Sequence, residues 1–381
     1  MVVSSPASIQ RHFGKLQDPR IRRRLRHELL DIIVIAICAV IADCDTWEDI
    51  GVFARKRQAW FRRFLALPNG APSADTFARV FSRLAPEAFG ACFQSWVRAV
   101  SAAVGLPHIA IDGKTLRRSF HRASGLGPLH LVSAWATDQH LTLGQVAVDG
   151  KSNEITAIPQ LLALLDLHGA LVTIDAMGCQ KEIAAQIVAG GGDYVLTVKA
   201  NQEHLLEDIQ ATVERALDGQ LPTAQVDQYT TRERGHGRQE ERSYVVIQNV
   251  EGIRDRRLWH KLTTVGMCYS ERAVNDKTST EVRYFIGSRR LSAKRYGQAL
   301  RNHWGIENNL HWQLDMTFDE DSSRIQERNA AHNFAWLRRI ALSLLKQNES
   351  KMSIRGRRKA AALDTAFLEE IACGSAKLAN G

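Results

Sequence analysis

His108-Ile109-Ala110-Ile111-Asp112-Gly113-Lys114-Thr115-Leu116-Arg117-Arg118-Ser119 is the stretch on which the fold turns. Ile109, Ala110 and Ile111 are apolar and lie between Pro107 and Gly113, the pattern of a short buried strand. The strand ends in Asp112, and Lys114, Arg117 and Arg118 follow at once. An ionised carboxylate at the tip of a buried strand is costly without a positive partner. On its own, Asp112 reads equally as a turn-capping aspartate before Gly113. A second stretch, Leu171-Val172-Thr173-Ile174, is also apolar and β-branched. It also ends in an aspartate, Asp175, before Ala176-Met177-Gly178. Two buried strands that each deliver an aspartate at the C-terminal end bring both carboxylates to one sheet edge. Such a pair repels itself unless a divalent cation sits between. Mg²⁺ takes oxygen ligands, so the expected chemistry is metal-assisted cleavage of a phosphodiester.

Working outward, residues 129–137 and Leu141–Val148 read as strands joined at Asp138-Gln139-His140. Ser152-Asn153 caps a helix over 154–167, Lys181–Ala189 forms another, and 194–198 is a further strand. The order is βββαβαβ. Beyond Lys199-Ala200-Asn201-Gln202 a helix over 204–217 leads into four segments rich in β-formers, 225–231, 242–250, 262–270 and 281–288. A charged hairpin at 232–242, which includes Arg238, lies between the first two. The helix expected over 292–314 carries Arg301, His303, Trp304, Glu307, His311 and Trp312. Glu307 is the candidate third carboxylate. His303 and His311 stand four residues to either side and share its face, which makes a His-Glu-His metal site conceivable and a histidine-lined phosphate groove the preferred reading. Trp304 and Trp312 are expected in the core, and Asp315, Asp319, Glu320 and Asp321 as a solvated acidic cluster. Residues 330–346 read as an amphipathic helix and 351–359 as a basic tail.

Before the first strand the chain is helical: 29–42, 47–67, a segment capped by Ser73 or Asp75, and 86–104. Residues 1–15 read as loose, and 18–26 as a basic cluster. Interleaved aromatics and basic faces suggest recognition of DNA ends, against the plainer reading of a solvated basic surface. The 381 residues carry 50 Lys and Arg against 41 Asp and Glu, a net charge of +9 that favours a polyanionic partner. Six cysteines without a Cys-x-x-Cys pair argue against a zinc ribbon or disulfide framework. The apolar run 32–42 is too short to span a bilayer. A soluble protein is expected, with no membrane partner and no targeting segment.

The chain resembles bacterial insertion-sequence transposases of the DDE class, in the group of the H-repeat-associated proteins. The resemblance rests on Asp45-Thr46-Trp47-Glu48-Asp49-Ile50, Leu67-Pro68-Asn69-Gly70, Asp112-Gly113-Lys114, Lys151-Ser152-Asn153-Glu154, Asp175-Ala176-Met177-Gly178, Lys199-Ala200-Asn201-Gln202, His236-Gly237-Arg238 and His303-Trp304-Gly305-Ile306-Glu307-Asn308. It implies an α/β fold with a ribonuclease-H-like catalytic core, a mixed sheet in the βββαβαβ order. The implied division is a helical DNA-binding domain over 1–105, core over 106–200, a β-rich insertion over 201–290, core with the glutamate helix over 291–350, and a basic tail over 351–381. Asp112, Asp175 and Glu307 fall on the three catalytic, metal-holding acids, with Mg²⁺ as cofactor and Mn²⁺ as a substitute. The partners implied are transposon ends, target DNA and a second copy of the chain in a synaptic homodimer. The setting is a bacterial cytoplasm at the nucleoid. Lys114, Arg117, Arg118, Lys199, Asn201, Arg238 and Arg301 are the candidate DNA contacts. Related transposases carry tyrosine, arginine and lysine seven and four residues before the glutamate and seven after; this chain has Leu300, His303 and Leu314 there. The competing readings are a decayed or domesticated DNA-binding copy and a plain nuclease of the same fold.

Overall fold

The computed structural model describes residues 7–21, 25–101, 108–120, 127–148, 153–235, 237–274 and 277–373. Arg22 to Arg24 of the basic cluster, Pro107, Lys151, Ser152, His236 and the last eight residues lie outside the described residues. The helices before the first strand are α1 (Ala7–Phe13), α2 (Leu29–Ile41), α3 (Trp47–Lys56), α4 (Gln58–Phe61), α5 (Ala74–Arg83) and α6 (Pro86–Ser101). α2 is apolar nearly all round and buried nearly throughout, and α1 and α3 pack on it. Two features differ from the sequence expectation. The helix expected over 47–67 breaks at Arg57 into α3 and α4. The segment expected to be loose contains α1, whose Phe13 ring meets Phe89 of α6 at 5.3 Å. Local chemistry sets the starts: the Thr46 hydroxyl accepts from the Asp49 N–H at 3.1 Å, and the Ser73 hydroxyl from the Thr76 N–H at 3.3 Å.

The strands are β1 (His108–Leu116), β2 (Leu129–Ala136), β3 (Leu141–Val148), β4 (Leu171–Ile174), β5 (Asp193–Val198), β6 (Val226–Gly235), β7 (Arg238–Ile247), β8 (Thr264–Val274) and β9 (Lys277–Gly287). α7 (Glu154–Ala163) joins β3 to β4, α8 (Lys181–Ala189) joins β4 to β5, and α9 (Glu203–Leu217) precedes β6. Among the described residues they form one mixed nine-stranded sheet in the order β3-β2-β1-β4-β5-β9-β8-β7-β6. β4 runs parallel to β1 and β5, and the other neighbours are antiparallel.

The β-rich stretch is joined to this sheet directly, because β9 pairs with β5 from Val195↔Gly287 to Val198↔Tyr284. Its strands also run further than their apolar residues announce. Arg232, in the expected charged hairpin, is paired across to Glu241, with its Nε 2.7 Å from that carboxylate. Cross-strand charge pairing carries the ladder past the apolar part.

After the sheet come α10 (Ala293–Ile306), a π-helical turn at Glu307–His311, α11 (Trp312–Met316), α12 (Arg328–Gln347), α13 (Ile354–Leu363) and α14 (Thr365–Cys373). The expected basic tail is therefore largely two helices, and Arg358 within it is fully buried. α12 packs on α2, α5 and α6 and also on β2 and β3, so it ties the N-terminal helices to the sheet. A close approach is at Gly90 of α6, where an added Cβ would lie 2.6 Å from Cζ2 of the buried Trp336. Gly90→Ala is therefore expected to cost roughly 1–3 kcal/mol by overpacking, measured by denaturant unfolding; a neutral result would mean that the two helices separate freely. Among the described residues no helix is long and apolar enough to cross a membrane.

Candidate active site

The two aspartates meet because of strand register. In the parallel pair β1–β4, Ile111 lies beside Ile174, and Asp112 and Asp175 are each the next residue. Both follow buried apolar runs, as parallel strands covered on both faces require. The Asp112 Oδ1 accepts from the Gly113 N–H at 2.9 Å. The Asp175 Oδ1 accepts from the N–H groups of Met177 at 3.1 Å and Gly178 at 3.4 Å, which fixes it in an Asx turn. That turn needs Gly178, since a Cβ there would meet Ile174 Cγ2 at 2.3 Å. Asn201 and Gln202 hold the same loop from below. Their side-chain amides donate to the Ala176 carbonyl at 2.7 Å and the Cys179 carbonyl at 2.9 Å. Asn201 is thus committed to the loop that carries Asp175, which is a supporting contact and not an open DNA contact.

The other face of this edge is built by α10 and the π turn. His311 is buried, with its Nδ1 3.4 Å from Asp112 Oδ2. His303 and His108 both meet the Thr173 hydroxyl, at 3.1 and 2.9 Å. Burial lowers all three imidazoles, with nearby positive groups assisting: His311 and His108 to about 3, His303 to about 4. They are neutral packing groups and not a cationic phosphate groove. The expected common face of His303, Glu307 and His311 is not formed either. Glu307 is exposed, His303 half-buried and His311 buried, the π turn adding a residue between Glu307 and His311. Trp304, in α10 ahead of that turn, and Trp312, directly after it, are both at the surface, 42% and 53% exposed, where the core was expected. The Arg283 guanidinium covers the Trp304 ring at 4.6 Å. Leu314 is buried and Leu300 partly so, and both pack inward.

Burial pushes the Asp112 carboxyl up to about 7, and the charges of Asp175, Glu154 and Glu307 add to the rise against the Gly113 hydrogen bond. Burial also raises Asp175. Glu154 adds to that rise, while the Gly178 and Met177 N–H groups and the Lys199 charge oppose it. Among the described residues no three acids, imidazoles or thiols stand close enough to enclose a metal ion. The donor chemistry of the edge nevertheless fits a hard divalent cation: oxygen ligands, partly buried, whose mutual repulsion a cation would offset.

The basic residues divide. Lys114, expected on a phosphate, is buried, with its Nζ 2.5 Å from Asp315, 3.2 Å from Asp321 and 3.8 Å from Glu320. Glu320 is itself fully buried, 2.9 Å from Arg339. Asp315, Glu320 and Asp321 are therefore partners of Lys114 that fasten β1 to α11, directly after the Glu307 turn, while Asp319 is exposed. Arg117 is exposed and its Nε lies 3.2 Å from Asp321; Arg118 and Lys199 are exposed. Arg301 is exposed and bonds Glu233 of β6 at 2.7 Å, and Arg238 lies 3.3 Å from Glu240. Sequence reading passed over Asp315 as a partner of Lys114. The available signal was alternation, since Lys114 lies two residues beyond Asp112 and faces the same helices.

The chain is similar to several known proteins. A family model described as a transposase DDE domain matches residues 104–344, and one described as DDE_Tnp_1-associated matches residues 10–97. The H repeat-associated protein YhhI of Escherichia coli K12 is 37% identical, over 96% of this chain and 98% of its own length. YncI of Escherichia coli O157:H7, described as a transposase, is 38% identical over 97% of this chain and 96% of its own length. The cryo-EM structure of a piggyBac transposase synaptic complex with hairpin DNA aligns with a TM-score of 0.44 and 11% identity, over 97% of this chain and 82% of that one.

Proposed function

Because the chain belongs to the DDE-domain transposases, we propose that Asp112, Asp175 and Glu307 are its three catalytic acids and that they hold Mg²⁺, with Mn²⁺ able to replace it. The protein is a DNA transposase; the assignment of its acids is carried by one observation. Asp112 and Asp175 each directly follow the last pair of the parallel β1–β4 ladder, Ile111 beside Ile174, and the Glu307 charge acts on Asp112 from the facing turn. Cations bound at this edge supply a lowered pKa for the attacking oxygen and charge to stabilise the pentacoordinate phosphorus. The chain's own groups do the placing. The Gly113, Met177 and Gly178 N–H groups orient the carboxylates. Arg117, Arg118, Lys199, Arg238 and Arg301 supply positive charge for the DNA backbone, which fixes position and reads no sequence. Arg301 and Arg238 each carry a glutamate that an incoming phosphate replaces.

The strand order of β1 to β5, with α7 and α8 between, supports a ribonuclease-H-like core. The exposed Arg55, Lys56, Arg62 and Arg63 suit the N-terminal helices to DNA ends. The substrate is the pair of terminal inverted repeats and a target duplex, joined in a synaptic homodimer at the bacterial nucleoid. Glu307→Gln is expected to reduce Mg²⁺-dependent cutting of a duplex carrying the terminal repeats about 100-fold or more, since it removes a charged ligand from a several-kcal/mol effect. Wild-type cutting by that variant would remove Glu307 from the triad.

A further inference from the structure

We propose that Thr173 is a positioning residue of the centre: its hydroxyl, shared by His108 and His303, holds α10 over β1 and β4 and so sets the place of Glu307. The inference rests on the reading of Glu307 as the third acid given above and adds a residue that acts only through that acid.

Thr173 is buried in β4, two residues before Asp175. His108 opens β1, on the same face of that strand as Asp112. His303 lies in the last turn of α10, one turn before Glu307, and α10 packs on both strands. The Thr173 Oγ1 is 2.9 Å from His108 Nε2 and 3.1 Å from His303 Nδ1, and it donates to the Ile109 carbonyl at 3.4 Å. Both rings are neutral, so each carries one N–H. With those protons on His108 Nε2 and His303 Nδ1, the hydroxyl accepts twice and donates once, which uses all its capacity. One hydroxyl thus joins β1, β4 and α10, the elements that deliver the three acids.

Glu307 depends on such anchors. Among the described residues its carboxylate has no hydrogen-bond or ion-pair partner, so its place is inherited from the chain on either side. After it, Asn309 Oδ1 accepts from Lys346 Nζ at 3.1 Å, and His311 Nδ1 lies 3.4 Å from Asp112. Those contacts fix it against α12 and β1. Before it, the His303 bond to Thr173 fixes it against β4, the strand that leads to Asp175. Without the hydroxyl, two imidazole N–H groups lose a buried acceptor, and α10 loses its polar hold on β4. A shift of about 1 Å in a reacting group costs up to about a hundredfold in rate.

The test is the single-turnover rate of Mg²⁺-dependent cutting at a saturating concentration of a duplex carrying the terminal repeats, with DNA binding and the urea midpoint measured on the same variants. Thr173→Val keeps the shape and removes the hydroxyl; Thr173→Ser keeps the hydroxyl. At position 303 an asparagine puts an amide N–H where Nδ1 stands, and a glutamine puts it where Nε2 stands. His303→Asn therefore keeps the bond and His303→Gln loses it. Thr173→Val and His303→Gln are expected to cut about tenfold or more slower, with DNA binding within about twofold, and Thr173→Ser and His303→Asn to cut within about threefold of wild type. In a Glu307→Ala background, Thr173→Val is expected to slow cutting less than about twofold further, since the group it places is gone. An undiminished loss in that background, or wild-type cutting by both Thr173→Val and His303→Gln, overturns the positioning role and leaves Glu307 standing. Should Thr173→Val not fold, His303→Asn and His303→Gln carry the same comparison. Wild-type cutting by Glu307→Ala overturns the third-acid reading, and this inference with it.

Discussion

Asp112→Asn is expected to reduce Mg²⁺-dependent cutting of a duplex that carries the terminal repeats by about three orders of magnitude, and to leave binding to that duplex within about twofold. Several kcal/mol of charge stabilisation are removed, at 1.36 kcal/mol per factor of ten. The variant keeps its shape, because the asparagine oxygen still accepts from the Gly113 N–H. DNA affinity is held by arginines and lysines elsewhere, so it is little changed. The same variant is expected to stabilise the metal-free protein. Burial first, and then the neighbouring acids, push the Asp112 carboxyl from 3.8 up to about 7. A folded-state pKa above the unfolded one penalises the folded state as pH rises through that window, and the penalty is complete above the folded value. The gain from asparagine is therefore small near pH 4, grows through the window, and at about pH 8 raises the unfolding midpoint by a few degrees. A gel assay of cleavage and a pair of thermal melts check both halves. Full cutting by the variant, or a lower midpoint at alkaline pH, would each contradict the assignment.

The parts of this centre legible in the sequence are those written in local pattern. The apolar runs before Asp112 and Asp175 form the parallel β1–β4 pairing, which stops at Ile111 and Ile174, although β1 itself continues past Asp112 to Leu116 against β2. What could not be read depends on contacts between distant segments. Lys114 has the look of a phosphate ligand beside Arg117 and Arg118, yet its partners Asp315 and Asp321 lie some two hundred residues on. Trp312 reads as inward on a 3.6-residue repeat, and the π turn at Glu307–His311 ahead of it rotates it outward. A single extra residue in one turn reassigns every face after it.

Arg358 is the sharpest case of a residue misread by composition, and its removal is expected to have the largest effect on stability. In Lys351-Met352-Ser353-Ile354-Arg355-Gly356-Arg357-Arg358-Lys359 it looks like one more solvated cation. The structure buries it completely. Its Nη2 donates to the Val40 carbonyl at 3.0 Å and to Asp45 Oδ1 at 2.8 Å, its Nη1 lies 3.1 Å from Asp43 and donates to the Thr317 carbonyl, and its guanidinium lies 4.0 Å over the Phe318 ring. Val40 is in the last turn of α2, so a side chain from α13 satisfies a carbonyl the helix leaves open and complements its dipole. Thr317 directly follows α11, so the same guanidinium also ties down the end of the segment that carries Glu307. Arg358→Met leaves two carbonyls and Asp45 without their donor, at an expected cost of about 3 kcal/mol or more. Arg358→Lys recovers little, since an ammonium cannot reproduce the planar fork that reaches these separate acceptors. Adding Asp45→Asn to Arg358→Met returns part of the loss, because it removes the charge left without its partner. Urea unfolding of the three variants, followed by tryptophan fluorescence, measures these differences. A loss within about 0.5 kcal/mol, the range of an ordinary surface change, would show that Arg358 is not the clamp between α2, α11 and α13.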